Sequence, residues 1–118
     1  MSETKLISYI TSDFQTKSDM IVGETEWIKI MNEKYDEFKS AGAIRQTVTQ
    51  IWNKEGSFRL GHLWEYKDEK AFIACQKVFR EAEIEFKKRT DIVWKVFPNR
   101  GIVSVSYTHL RAHETSLH

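Results

Sequence analysis

Only one cysteine, Cys75, stands among the 118 residues, so no internal disulfide can form. A lone thiol suits a reducing compartment, and a cytoplasmic protein is expected. Glycine is sparse as well. Gly23, Gly42, Gly56, Gly61 and Gly101 are isolated from one another, which excludes a glycine-rich phosphate loop. No apolar run approaches membrane-spanning length, and the opening MSETKLISYITSDF lacks a basic segment followed by an apolar stretch. No membrane association is expected. The net charge is +1, which provides no field to steer the chain toward nucleic acid. Three of the four histidines fall at position 109 or beyond, leaving His62 alone in the body of the chain. One histidine and one cysteine cannot build a Cys/His metal centre, so neither metal nor cofactor is expected. No Ser-His-Asp arrangement has a signature in the sequence either.

What is present is a globular composition, 41% hydrophobic and 13% aromatic with four tryptophans, at a length that suits one domain. KLISYITS (Lys5 to Ser12) is β-branched and aromatic and reads as a strand. DFQTKSDMIVG reads as irregular. Trp27, Ile30, Met31, Tyr35 and Phe38 then recur at helical spacing, which predicts a helix from about Glu24 to Ala41 closed by Gly42. Two strands surround NKEG. Ile44, Gln46, Val48, Gln50 and Trp52 share one face of the first, and Phe58, Leu60, His62, Trp64 and Tyr66 share one face of the second. Asp68 suits the N-cap of a second helix whose stripe is Phe72, Cys75, Phe79, Ala82 and Phe86. DIVWKVFPNRGIV reads as a fourth strand interrupted by a Pro-Asn turn. The order β-α-β-β-α-β predicts an α+β ferredoxin-like sandwich, two helices over one face of an antiparallel four-stranded sheet.

His62 reads two ways. Between Leu60 and Trp64 on an apolar face, it is either a core histidine with its hydrogen bonds satisfied or an acid/base beside a cavity. Trp52, Trp64, Tyr66 and Trp94 either line a pocket for a flat ligand or fill the core, and Trp27 reads as core. Cys75, in the apolar stripe, reads as an inert buried thiol rather than a nucleophile, and counts with them in the wall of that ligand pocket. Arg45, Arg59 and Arg100 read as solvated or at a subunit contact rather than as an anion site.

The chain ends in SVSYTHLRAHETSLH, where the pattern of strands and stripes stops. His109 and His113 have the spacing that begins a zinc site on a helix. Yet Val105 to Thr115 resembles, without a mismatch, the translation of a transposase-type sequencing-library adapter in one frame. That resemblance implies a domain at 1–103 and a non-native, adapter-derived tail at 104–118, on a fragment whose natural C-terminus is missing.

FKSAGAIRQTVTQIWNKEGSFRLGHLWEYKDEKAF resembles the dimeric α+β barrel superfamily. The likeness is to its antibiotic-biosynthesis-monooxygenase-like members and, through HLWEY, its NipSnap-like members. The resemblance covers about residues 5 to 103. It implies a homodimer with sheets packed face to face, which would cover Leu63 and Ile51, and an aromatic, polyketide-like or haem ligand between sheet and helices. Some members use a strand Asn, a strand Trp and a helix-two His. This chain keeps Trp64, has Cys75 where that His would fall, and has no Asn in the first strand, which argues against haem. Two readings follow. The first is a homodimer that binds an apolar or aromatic small molecule near His62, Trp64 and Tyr66. It includes a cofactor-independent monooxygenase-like or isomerase-like enzyme with His62 as acid/base. The second is a non-catalytic structural or interaction domain. An RNA-binding sheet shares the element order, but SFRLGHLWEY lacks the required glycine-aromatic pattern and the charge gives no basic face.

Overall fold

The computed structural model describes residues 3–107. It contains the strands β1 (Leu6–Phe14), β2 (Ala43–Gln50), β3 (Phe58–Tyr66) and β4 (Trp94–Ile102). Its helices are α1 (Lys17–Glu33), α2 (Tyr35–Ala41) and α3 (Glu69–Arg89). The sheet is antiparallel throughout, in the order β2-β3-β1-β4, as a ferredoxin-like α+β fold requires. No helix among the described residues is long and apolar enough to cross a membrane.

The first helix departs from the expected span. It begins at Lys17 rather than near Glu24, because Thr16 caps it by accepting the Asp19 N–H at 3.0 Å. Gly23 therefore lies inside the helix and not before it. A Cβ there would meet the Phe14 ring at 2.8 Å, so the missing side chain lets α1 settle on the end of β1. The helix then breaks at Lys34, whose N–H still bonds the Ile30 carbonyl, and resumes as α2. α2 ends at Gly42, in the left-handed region at φ 106°, as a glycine C-cap allows.

β4 is one continuous strand, without the expected interruption at Pro98 and Asn99. The Val103 N–H donates to the Lys5 carbonyl at 2.8 Å, marking those two as a hydrogen-bonded pair. Alternation along the ladder then makes Ile10 and Pro98 a non-hydrogen-bonded pair. The donor that proline lacks would have pointed away from β1, across the free edge of the sheet, so the ladder loses nothing.

α3 begins at Asp68, whose side chain accepts the Ala71 N–H at 2.8 Å. Its buried seam is Ala71, Cys75, Val78, Ala82 and Phe86, while Phe72 and Phe79 pack half-buried beside it. Small residues on this seam bring the helix close to the large side chains of β3, Trp64 and Tyr66, which stack 8° from parallel. At the far end Arg89 binds Glu33 through two hydrogen bonds and Glu85 through one, tying α3 to the end of α1. The second face of the sheet carries no helix. Tyr9 and Phe97 are exposed on it, Leu63 and Ile51 are half-buried, and the ion pair of Arg59 with Asp13 lies among them.

Residues 104–107 follow β4 without regular structure and are exposed. His109, His113 and His118 lie outside the described residues, as does most of the segment that resembles adapter sequence.

Gly42 meets α3 at its first turn, where an added Cβ would stand 2.5 Å from the Ala71 Cβ. Gly56, at φ 77°, has nothing within 4 Å. Gly42→Ala should therefore destabilise the fold by about 2 kcal/mol or more, and Gly56→Ala by about 1 kcal/mol, which is backbone strain alone. Urea denaturation of both variants checks this; equal losses would mean that Ala71 does not resist.

Candidate functional site

The inward residues of β1 and β3 meet α1 and α3 around a cavity of about 50 Å³. Ile10, Leu60, Trp27, Phe79, Phe86 and Trp94 supply most of its apolar wall, and Ser12, His62 and Glu83 its polar atoms. His62 arrives there through strand alternation: it follows Leu60 and precedes Trp64 on the inward face, paired with Ile10 of β1 and Val48 of β2. Its ring stands edge-on to Trp27, with centroids 5.9 Å apart.

His62 is 8% exposed, and its Nδ1 has no hydrogen-bond partner. Trp27 Nε1 in the same wall is also unpartnered. Burial holds the imidazole well below its ordinary value, at about 4, so the ring is neutral at physiological pH. Burial pushes the Glu83 carboxyl up, and the nearby Lys87 and Arg80 offset part of that. The site thus disfavours charge on both of its titratable groups. Its chemistry is that of a small apolar chamber, two of whose lining residues, His62 and Trp27, carry a buried nitrogen without a partner.

The residues expected to form a site are divided by the structure. His62 and Trp94 line the cavity. Trp64 lies one wall away, edge-on to Phe79 at 5.9 Å and tilted against Phe38 at 4.7 Å. Tyr66 is buried beyond it, edge-on to Phe72. Cys75 is fully buried; its thiol, raised by burial, points to the Phe38 carbonyl at 3.9 Å. Trp52 is not on the inward face of β2 at all. The strand ends at Gln50, and Trp52 is 90% exposed in the connection to β3. Trp27, expected in the core alone, and Glu83, in the charged run REAEIEFKKR, also line the cavity. The signal was available, since Phe79, Glu83 and Phe86 lie at i, i+4 and i+7 on one stripe of α3.

Among the described residues no group of three or more His, Cys, Asp or Glu side chains could hold a metal ion.

This architecture is shared with solved structures. A dimeric ferredoxin-like protein from an uncultured marine organism superposes with a TM-score of 0.81 at 24% identity, covering 90% of this chain and 100% of that one. Another dimeric ferredoxin-like protein, also from an uncultured marine organism, gives 0.76 at 27% identity, over 89% and 100% of the two chains. A monooxygenase of Streptomyces coelicolor, solved in complex with nanaomycin D, gives 0.62 at 8% identity, over 89% and 92%. The class is thus ferredoxin-like, with antibiotic-biosynthesis-type monooxygenases among the proteins that share the fold. Residues 3–103 match the family described as a domain of unknown function, DUF6974, and the chain belongs to that family. No curated protein matches it.

The neutral His62 makes stability depend on pH in a defined direction. Its folded pKa of about 4 lies below the model-compound value of 6.5, so protons favour the unfolded chain. Stability from this group is fully present above pH 6.5 and is lost as the pH falls through 6.5 toward 4. The loss should be about 3 kcal/mol, and His62→Gln should lack it. Denaturation of both proteins across that range is the check; parallel profiles would place His62 in contact with solvent or a partner.

Proposed function

We propose that this chain is a small homodimeric domain that binds an apolar or aromatic small molecule in the cavity beside His62. The observation that carries the reading is the buried His62 imidazole, lining an apolar chamber with Nδ1 unpartnered. A buried polar atom without a partner costs on the order of 1–3 kcal/mol, which a ligand oxygen would relieve. Trp27 Nε1, on another residue of the lining, also lacks an acceptor. A flat ring bearing a hydroxyl satisfies both, since a phenolic oxygen accepts and donates. The present volume of about 50 Å³ holds a few waters. A ring enters by turning Trp94, which is only half-buried on the edge strand β4.

Binding has more support than catalysis. A base that works near pH 7 is best tuned close to that value, and His62 lies far below it. Glu83, pushed up by burial and partly offset by Lys87 and Arg80, is the second titratable group in the chamber. The catalytic form of the reading is a cofactor-independent monooxygenase-like or isomerase-like enzyme with His62 as its acid/base. The non-catalytic alternative is a structural or interaction domain whose cavity stays wet. The Streptomyces coelicolor monooxygenase, solved with nanaomycin D, shares the fold, which supports a small-molecule role and no particular chemistry. The NipSnap-like branch has support only from HLWEY.

Dimerisation has two supports: the uncovered sheet face with Tyr9, Phe97 and Leu63, and the dimeric description of both marine neighbours. Arg59 with Asp13 and Arg45 with Glu65 are already paired within the chain, which lowers the cost of covering that face. We take residues 1–103 as the domain and the adapter-like 104–118 as lying outside it; the family match and the last ladder bond both end at Val103.

Two measurements test this. Among flat hydroxylated aromatics screened by thermal shift, at least one should raise the midpoint by several degrees at saturation. His62→Gln should fold and lose most of that rise; an empty screen, or an equal rise in the variant, rejects the site. Light scattering of the full chain should give twice the 14.0 kDa chain mass, and Leu63→Glu should return it to one. A wild-type monomer rejects the homodimer.

A further inference from the structure

We infer that the chain has a second small-molecule site, distinct from the His62 cavity, that takes an amphipathic carboxylate. It is the groove of about 570 Å³ between α2, the end of α1 and the start of β2, a size ordinary for ligand pockets. Two of its lining residues carry a buried donor without a partner, Trp64 Nε1 and Gln46 Nε2. They are neighbours by construction, because Gln46 and Trp64 oppose each other across the β2–β3 ladder. Trp64 is 2% exposed, so bulk water cannot satisfy its N–H.

The rim carries one sign of charge. Lys39, Arg45 and Lys67 line the groove and no carboxylate does, in a chain whose acids and bases are nearly balanced. Arg45 is held by Glu65, Nε to Oε2 at 2.9 Å. Lys39 and Lys67 have no carboxylate within ion-pair distance among the described residues. Buried donors beside ammonium groups call for a group that only accepts, and a carboxylate does so with both oxygens. Phe38 and Met31 in the wall provide apolar contact for the rest of the molecule. The groove lies at the irregular start of β2, where the β2–β3 register shifts between Ala43 and Arg45.

The test is titration of the full-length 15N-labelled chain with 2-naphthoate, using neutral 2-naphthalenemethanol as the control. The four tryptophan indole N–H signals report on each site separately. The expected result is a saturable shift of the Trp64 signal with the acid and none with the alcohol. The Lys39→Gln, Lys67→Gln double variant, whose substitutions are at the groove rim, should keep its dispersed spectrum and bind about tenfold more weakly or worse. A Trp64 signal that does not move overturns the proposal. So does equal binding of acid and alcohol, or unchanged affinity in the double variant. Movement of the Trp27 signal alone places the ligand in the His62 cavity and also overturns it, while leaving the first site standing.

Discussion

The corner at which Gly42 meets Ala71 sets the spacing of the whole domain. Gly42 ends α2 with a positive φ, and its carbonyl accepts the Lys67 N–H at 3.2 Å just before α3 begins. The absence of a side chain there lets the first turn of α3 touch the start of β2. From that contact α3 runs down the sheet on a seam narrow enough for Trp64 and Tyr66 to remain under it. Cys75 and Ala82 are both fully buried, so nothing on the seam holds the helix away. Only toward the Phe79–Phe86 end, where large rings replace small residues, does the interface stay incompletely filled. The cavity is the place where this packing stops being close.

The elements with simple periodicity were legible from residues alone. Alternation placed His62, Trp64 and Tyr66 on the inward face of β3, and Asp68 marked the start of α3 as a side-chain cap should. The failures share a cause, which is that the deciding partner was distant in sequence. Gly23 looks like a break until Phe14 is packed against it. Pro98 looks like a turn until β4 is known to be an edge strand with the proline at a non-hydrogen-bonded position. Trp52 continues the alternation of β2 on paper, but the ladder ends before it. Glu83 is polar in a polar run, and only the opposite wall of the cavity shows that its stripe faces inward.

Trp64 divides the inward side into two environments with opposite preferences. Through Phe79 it borders the cavity, and through Phe38 it borders the groove. In the cavity, desolvation has already driven His62 toward its neutral form and raised Glu83, so a charged ligand would meet the same penalty that those groups show. In the groove, solvent reaches the lysines on the rim while the buried donors stay dry. A charge placed there keeps part of its hydration and gains two cations, so the penalty is smaller and the return larger. The indole ring lines the groove and stands behind Phe79 as seen from the cavity. The two environments thus differ in how much water each side retains more than in the apolar residues that line them.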